Sequence, residues 1–309
     1  MREKVLIIGA ANMDFTMQVR SLPAAGETVT EESRFGYAAG GNGAAAAMAV
    51  LRLGGDPVYV AKVGADVHGH RLLRLYAEAG MDIAHVAVDG RNPTGMRVIM
   101  KEDNGDSRVV VYPGANANLL SSDAERAVAD ADPGAVFLQM ELPADILIGT
   151  ARMAEGRGIP LFLDSAGLDP AFPFASLPSL EVFFIDDKDT LALTGIMPIG
   201  SDSCLKAAVE LEKRVKARHY LIKLGERGIF AYDGRYCHMI LSSGLRISEH
   251  RPICDAACAA ILLEYRRTGG DVQAACRFGL SLNTLLVKNE ADASYFPTEE
   301  EVRAFSEKH

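Results

Sequence analysis

The feature that most constrains this chain is an alternation between short, continuously apolar β-rich runs and amphipathic stretches of helical period. Strands are expected over Val5–Ile8, Val58–Val63, Arg97–Lys101, Arg108–Tyr112, Val136–Met140, Leu161–Leu163, Val182–Ile185, Tyr220–Leu224 and Ile229–Tyr232. Several carry apolar side chains at successive positions, as parallel strands covered on both faces do. Helices are expected over Gly43–Leu53, Val67–Ala79, Ala144–Glu155, Ser203–Lys216, Asp255–Arg267 and Val272–Val287. Such a chain folds as an α/β sandwich, a mostly parallel central sheet flanked by helices. No internal repeat, low-complexity tract or linker divides the 309 residues, so one domain over 1–309 is expected.

Two segments interrupt the alternation. Phe15–Tyr37 is polar, with Thr16, Gln18, Thr28 and Thr30 at alternating positions. Arg97–Tyr112 reads as a hairpin that turns through 101–106. Strands inserted away from the main sheet make either a small lid over a pocket or a decorated sheet edge. Spacing alone leaves both open.

Charge and cysteine usage narrow the partners. The 32 Lys+Arg against 41 Asp+Glu give a net charge of −9 with no basic run. Nucleic acid, which needs cationic contacts to phosphate, is set aside. The apolar runs fall far short of the ~20 residues of a membrane span, so no membrane partner is expected. Arg2-Glu3-Lys4 leads straight into a strand-like run and not into a signal peptide. The five cysteines all lie between Cys204 and Cys276, an odd and clustered set unlike a secreted disulfide framework. A reduced, cytoplasmic protein is expected.

Open α/β sheets bind ligands at the carboxyl ends of their strands, and six such places carry suggestive residues. After the first strand come Asn12 and Asp14, a carboxylate for hydroxyls or a plain turn Asp. Gly40-Gly41-Asn42-Gly43 opens a helix, where backbone N–H groups can approach a polar ligand. No Gly-Lys-Ser/Thr follows, so it is not a Walker A loop. Gln139-Met140-Glu141 ends an apolar strand. Asp186, Asp187 and Asp189 are hard oxygen donors suited to Mg²⁺, directly or through water, or simply an acidic helix start. Lys223 to Gly228, with Gly225 between, is an ordinary turn or a nucleotide contact. Asp255 opens a small-residue helix, as an N-cap or as a base. His250, Cys254 and Cys258 share a four-residue spacing that suits either zinc or buried thiols.

Individually weak, these signals are specific in their order. Residues 5 to about 305 resemble the ribokinase-like (PfkB) family of sugar and nucleoside kinases. Gly40-Gly41-Asn42-Gly43-Ala44, Val63-Gly64-Ala65-Asp66 with Gly69, Thr94-Gly95, and Tyr112-Pro113-Gly114-Ala115-Asn116-Ala117-Asn118-Leu119 carry the likeness. So do Gln139-Met140-Glu141, Asp186–Asp189 in the place of an Asn-x-x-Glu magnesium motif, Lys223–Gly228, and Asp255.

The resemblance implies a ribokinase-like sandwich with a β lid from about 15–37 and 95–112, through which two chains could pair as a homodimer. It implies ATP and Mg²⁺, and phosphoryl transfer to a primary hydroxyl of a small, ribose-like sugar or a nucleoside. Asp255 would be the base. Asn12, Asp14, Gly40, Gly41, Asn42 and Glu141 would bind the sugar. Asp186, Lys223, Gly225, Gly228, Arg251 and Cys254 would face the nucleotide, with Asp186 and Asp189 at the metal.

The chain also departs from the family. Its second signature, normally Gly-Ala-Gly-Asp after Asp-Thr, reads Glu249-His250-Arg251-Pro252-Ile253-Cys254-Asp255. Proline offers no N–H, and one lost oxyanion donor costs about a hundred- to a thousandfold in rate. Ala45 replaces a family Asn, and Asn42 a ribokinase Lys. Glu249 and Glu290 stand at the ribokinase monovalent-cation site, so potassium activation is not implied. These departures favour the alternative of a sugar- or nucleotide-binding relative with weak or no turnover; Arg251 is the residue that could replace the lost phosphate contacts.

Overall fold

Four successive aliphatic residues leave a strand no wet face, and Val5, Leu6, Ile7 and Ile8 are all completely buried. They belong to β1 (Lys4–Ile8), an interior strand of a nine-stranded sheet in the order β13-β12-β11-β10-β9-β8-β1-β4-β5. The computed structural model describes residues 2–30, 35–102, 107–242, 254–289 and 295–308, and the sheets are counted among these.

The remaining strands of this sheet are β4 (Asp56–Gly64), β5 (Val86–Asp89), β8 (Ala135–Gln139), β9 (Leu161–Asp164), β10 (Leu180–Asp186), β11 (Ala217–Lys223), β12 (Ile229–Tyr232) and β13 (Cys237–Ile240). From β11 across to β5 every pairing is parallel; β12 and β13 close one edge antiparallel.

Helices cover both faces. Val5 and Ile7 pack into a core shared with α1 (Asn42–Arg52), α2 (Val67–Glu78), α7 (Asp255–Arg267), α8 (Val272–Lys288) and α9 (Glu299–Lys308). Leu6 and Ile8 point the other way, to α3 (Ser121–Ala131), α4 (Ala144–Gly156), α5 (Asp187–Thr194) and α6 (Ser201–Glu212). Strand side chains alternate in direction, so one apolar run serves two cores. A charge at Leu6 or Ile7 would have no wet side to turn to.

A second sheet, order β3-β2-β6-β7, comprises β2 (Asn12–Val19), β3 (Phe35–Gly40), β6 (Gly95–Glu102) and β7 (Ser107–Tyr112). It is built from the two interrupting segments; their residues 31–34 and 103–106 lie outside the described ones. β2 runs parallel to β6, placing Asp14 opposite Arg97.

The nine expected strands are present, each within a few residues of its bounds. Sequence patterning does not announce β5, β13, α3, α5 or α9, and it expects strands in 15–37 without giving bounds for β2 and β3. β5 and β13 are four residues each, and α9 buries only Val302 among its charged residues, so each carries too little apolar signal. Helix α6 stops at Glu212, short of the expected Lys216, because the chain must turn to enter β11 at Ala217.

Candidate active site

Small residues bring the start of α1 onto the end of β1. A Cβ on Gly43 would lie 2.6 Å from the backbone of Gly9, and one on Gly40 would overlap the Asp14 carboxylate. Gly41, the residue before α1, has φ 97°, a conformation glycine adopts at little cost. The loop therefore presses its backbone against β2 and delivers Asn42 into the space between the two sheets.

There Arg97 on β6 forms a two-pronged ion pair with Asp14, with Nε donating to Oδ1 at 2.8 Å and Nη2 to Oδ2. Its Nη1 donates to Asn42 Oδ1 at 3.2 Å, and Asn42 Nδ2 donates to Glu141 Oε1 at 2.8 Å. The other oxygen of Glu141 is buried without a partner. Burial, then Asp255, pushes the Glu141 carboxyl up to about 7, against the pull of Arg97. Asn12 sits behind this group, 1% exposed, and accepts from Asn116 Nδ2 at 2.9 Å. Asn116 in turn receives the Ala11 N–H, tying the loop after β7 to the end of β1. Five sugar-site candidates (Asp14, Gly40, Gly41, Asn42 and Glu141) thus gather in one cluster, with Asn12 as their backing.

At the other end, Asp255 is the first residue of α7, and its Oδ1 accepts from Gln139 Nε2 at 2.7 Å. Burial, then the Asp164 charge, raises its carboxyl to about 6, with Lys223 opposing. Lys223 donates to both oxygens of Asp164, at 2.7 and 2.9 Å, in a buried ion pair. Its ammonium is committed to the interior and the residue is buried, so the side chain is not offered to a ligand. Cys254 precedes α7 in extended conformation, and its N–H donates to Asn283 Oδ1 at 3.2 Å. The N–H matching the family's phosphate glycine is therefore engaged by a side chain. Arg251, with Glu249, His250, Pro252, Ile253 and Glu290, lies outside the described residues.

Asp186 caps α5, its Oδ1 accepting the Asp189 N–H at 2.7 Å, and Asp189 Oδ2 accepts from Ser165 Oγ at 2.6 Å. Each carboxylate keeps one oxygen outside these bonds. Among the described residues no group of three or more His, Cys, Asp or Glu could hold a metal ion. The pair fits Mg²⁺ held through its own waters, which magnesium retains readily. Cys258 is buried, and burial first, then the Asp164 charge, keeps the proton on its thiol, so it is a core thiol. Gly228 has φ 95°, and a Cβ there would lie 2.0 Å from the Ile240 carbonyl. Strand packing alone requires that glycine, while Gly225 opens the turn beside it with φ 60°. No helix among the described residues is long and apolar enough to cross a membrane.

Sequence reading misses Arg97 and Asp164, and names Gln139 only as part of the run that ends β8, without its bond to Asp255. Arg97 is one cation inside a β-rich run, and only strand register sets it against Asp14.

The model of the pfkB family carbohydrate kinases matches residues 2–243. The chain is 30% identical to a ribokinase of Arabidopsis thaliana over 72% of its own length, and spans 60% of that relative. It is 25% identical to a ribokinase of Haemophilus influenzae over 99% of both chains. Among solved structures, an Arabidopsis thaliana ribokinase complexed with ribose and ATP superposes with TM-score 0.86 at 24% identity, covering 99% of each chain. A Burkholderia thailandensis nucleoside kinase in complex with inosine gives TM-score 0.78 at 18% identity over 98% of each. At these identities the structural matches establish the fold, and the family match adds the membership. This chain belongs to the pfkB family of carbohydrate kinases.

Proposed function

We propose that this chain transfers the γ-phosphoryl group of ATP to a primary hydroxyl of a small, ribose-like sugar or a nucleoside. The observation that carries the reading is the placement of Asp255, oriented by Gln139 at 2.7 Å and facing Glu141 electrostatically. A carboxylate so held is positioned as a general base. The hydroxyl oxygen bonds to the γ-phosphorus, its proton passes to Asp255, and the bond to the ADP oxygen breaks. Asp14, Asn42 and Glu141 hold the sugar beside the Gly40-Gly41 backbone, with Asn12 behind. The nucleotide lies along the Gly225–Gly228 turn and the start of α7, near Asp186, Cys254 and Arg251. Asp186 and Asp189 would hold Mg²⁺ through water, which when bound neutralises phosphate charge. The relatives support this reading, since a ribokinase with ribose and ATP and a nucleoside kinase with inosine share the fold.

We read 1–309 as a single domain in which the second sheet acts as a lid. Its outer strand β7 exposes Val109, Val110 and Val111 at half or more of their surface, and there we place a second copy of the chain. Analytical sedimentation should give a dimer that Val110→Lys converts to monomer; a monomeric wild type rejects the pairing.

One observation favours a second reading, a binder without efficient turnover: Cys254 fills the glycine position and its N–H is bonded to Asn283. Fold alone does not decide between them. An ADP-release screen over pentoses, hexoses and nucleosides, with Asp255→Asn as control, does. Turnover abolished by the substitution supports the kinase. Ligand binding with no turnover above the control establishes the binder.

A further inference from the structure

Arg97 links the second sheet to the main one through side chains alone. Arg97 on β6 bonds both Asp14 on β2 and Asn42 at the start of α1, and Asn42 bonds on to Glu141 beyond β8. A guanidinium carries five N–H donors in a rigid fork. Here three are used: two on the Asp14 carboxylate and one on Asn42 Oδ1. The double contact fixes the plane of the Asp14 carboxylate. The third fixes the sense of the Asn42 amide, since a flipped amide would aim its NH₂ at Arg97 and its oxygen at Glu141. With the amide held this way, Glu141 Oε1 is satisfied and Oε2 remains a buried acceptor without a partner. Arg97 also feels the charges of Asp14, Glu141 and Asp255 together. Without it, three carboxylates would face one cleft, an arrangement that gathers a cation.

We propose that Arg97 is a positioning residue that sets the specificity of the sugar end. By neutralising Asp14 and orienting Asn42, it leaves Glu141 Oε2 and the outer lone pairs of Asp14 to accept from hydroxyls of an uncharged polyol. The inference rests on the sugar-kinase reading above, and the test separates the two.

The first arm uses the full chain without substrate. Glu141 is titrated by carboxyl-carbon NMR in wild type and Arg97→Met. The charged groups that face it are Asp255 on α7, Asp14 on β2 and Asp164 on β9, which push its proton affinity up, and Arg97 on β6, which pulls it down. Removing Arg97 should move the midpoint to higher pH, and an unmoved midpoint overturns the proposal. The second arm is steady-state phosphorylation of D-ribose. Arg97→Met should raise KM about 10- to 100-fold with kcat held within about threefold, the pattern of lost substrate binding. Arg97→Lys should fold but fail to restore KM, because an ammonium cannot bond both Asp14 oxygens and Asn42 at once. An unchanged KM in Arg97→Met, or full recovery in Arg97→Lys, overturns the proposal. If wild type phosphorylates no sugar, the kinase reading fails while the first arm still decides the role of Arg97.

Discussion

At the end we propose for the sugar, four side chains from four parts of the fold bond one another, Arg97 to Asp14 and Asn42, and Asn42 to Glu141. At the end we propose for phosphate transfer, Asp255 has one side-chain hydrogen bond among the described residues, from Gln139, above the buried Asp164–Lys223 pair. The sugar end is a connected network, so losing one member leaves partners that can partly compensate. The phosphate end relies on groups with few side-chain partners among the described residues. Family departures fall on both ends, Asn42 and Ala45 on the first, but the second has the run in which Pro252, Ile253 and Cys254 replace small residues. The contrast teaches that changes at the first end should alter affinity, and changes at the second should alter rate or fold.

The largest effect expected from this contrast is on turnover. Asp255→Asn should lower kcat by about 10²–10⁴-fold, the usual contribution of a positioned acid–base group. Sugar affinity, measured by calorimetry, should stay within about threefold because the Arg97 network is untouched. A loss of affinity as large as the loss of rate would show that the two ends are not separate.

Next is the foundation beneath Asp255. Lys223→Met leaves Asp164, completely buried, with an uncompensated charge. Breaking such a pair from one side costs about 3–5 kcal/mol, which urea unfolding would read directly. The double change Asp164→Leu with Lys223→Met should recover most of that stability, since apolar replacement of both partners is commonly neutral. A single variant as stable as wild type would mean that the pair does not carry the phosphate end.

The main sheet was legible because its physics is local: runs such as Val182–Ile185 declare two buried faces without any partner in view. The second sheet was half legible. Its hairpin showed in the turn residues, whereas β2 reads as polar because Asp14, Thr16 and Gln18 face a cleft or water. Candidate site residues at strand ends could be named, but not their pairings. Arg97 meets Asp14 only through the parallel register of β6 on β2. Lys223 looked like a ligand contact at the end of β11; Asp164, two strands away in the sheet order, draws its ammonium inward. Distant pairings of this kind are set by topology, which no window of sequence contains.

The smallest expected effect lies in how stability depends on pH, and it too separates the ends. Folding raises Glu141 from its ordinary 4.5 to about 7, and Asp255 and Asp189 from 3.8 to about 6. Burial is the leading cause in each. A carboxyl whose proton affinity rises on folding is bound by more protons in the native than in the unfolded chain. Its contribution is therefore fullest near the unfolded value and is lost as pH rises through the folded one. His219, whose burial lowers it from 6.5, works in the opposite direction below that pH, as one group against three. The lowered carboxyls Asp66, Asp89, Asp233 and Glu301 act only at the acid edge, near and below their ordinary values. Stability should thus fall between about pH 5 and 7.5 by about 1–3 kcal/mol, at 1.36 kcal/mol per pKa unit with allowance for partial solvation. The upper part of that fall, above pH 6.5, belongs to Glu141, so Glu141→Gln should flatten it. Asp255→Asn should flatten only the lower part. Urea unfolding across this range tests both, and a wild-type stability that climbs steadily from pH 5 to 7.5 would show that neither carboxyl is held in the environment described.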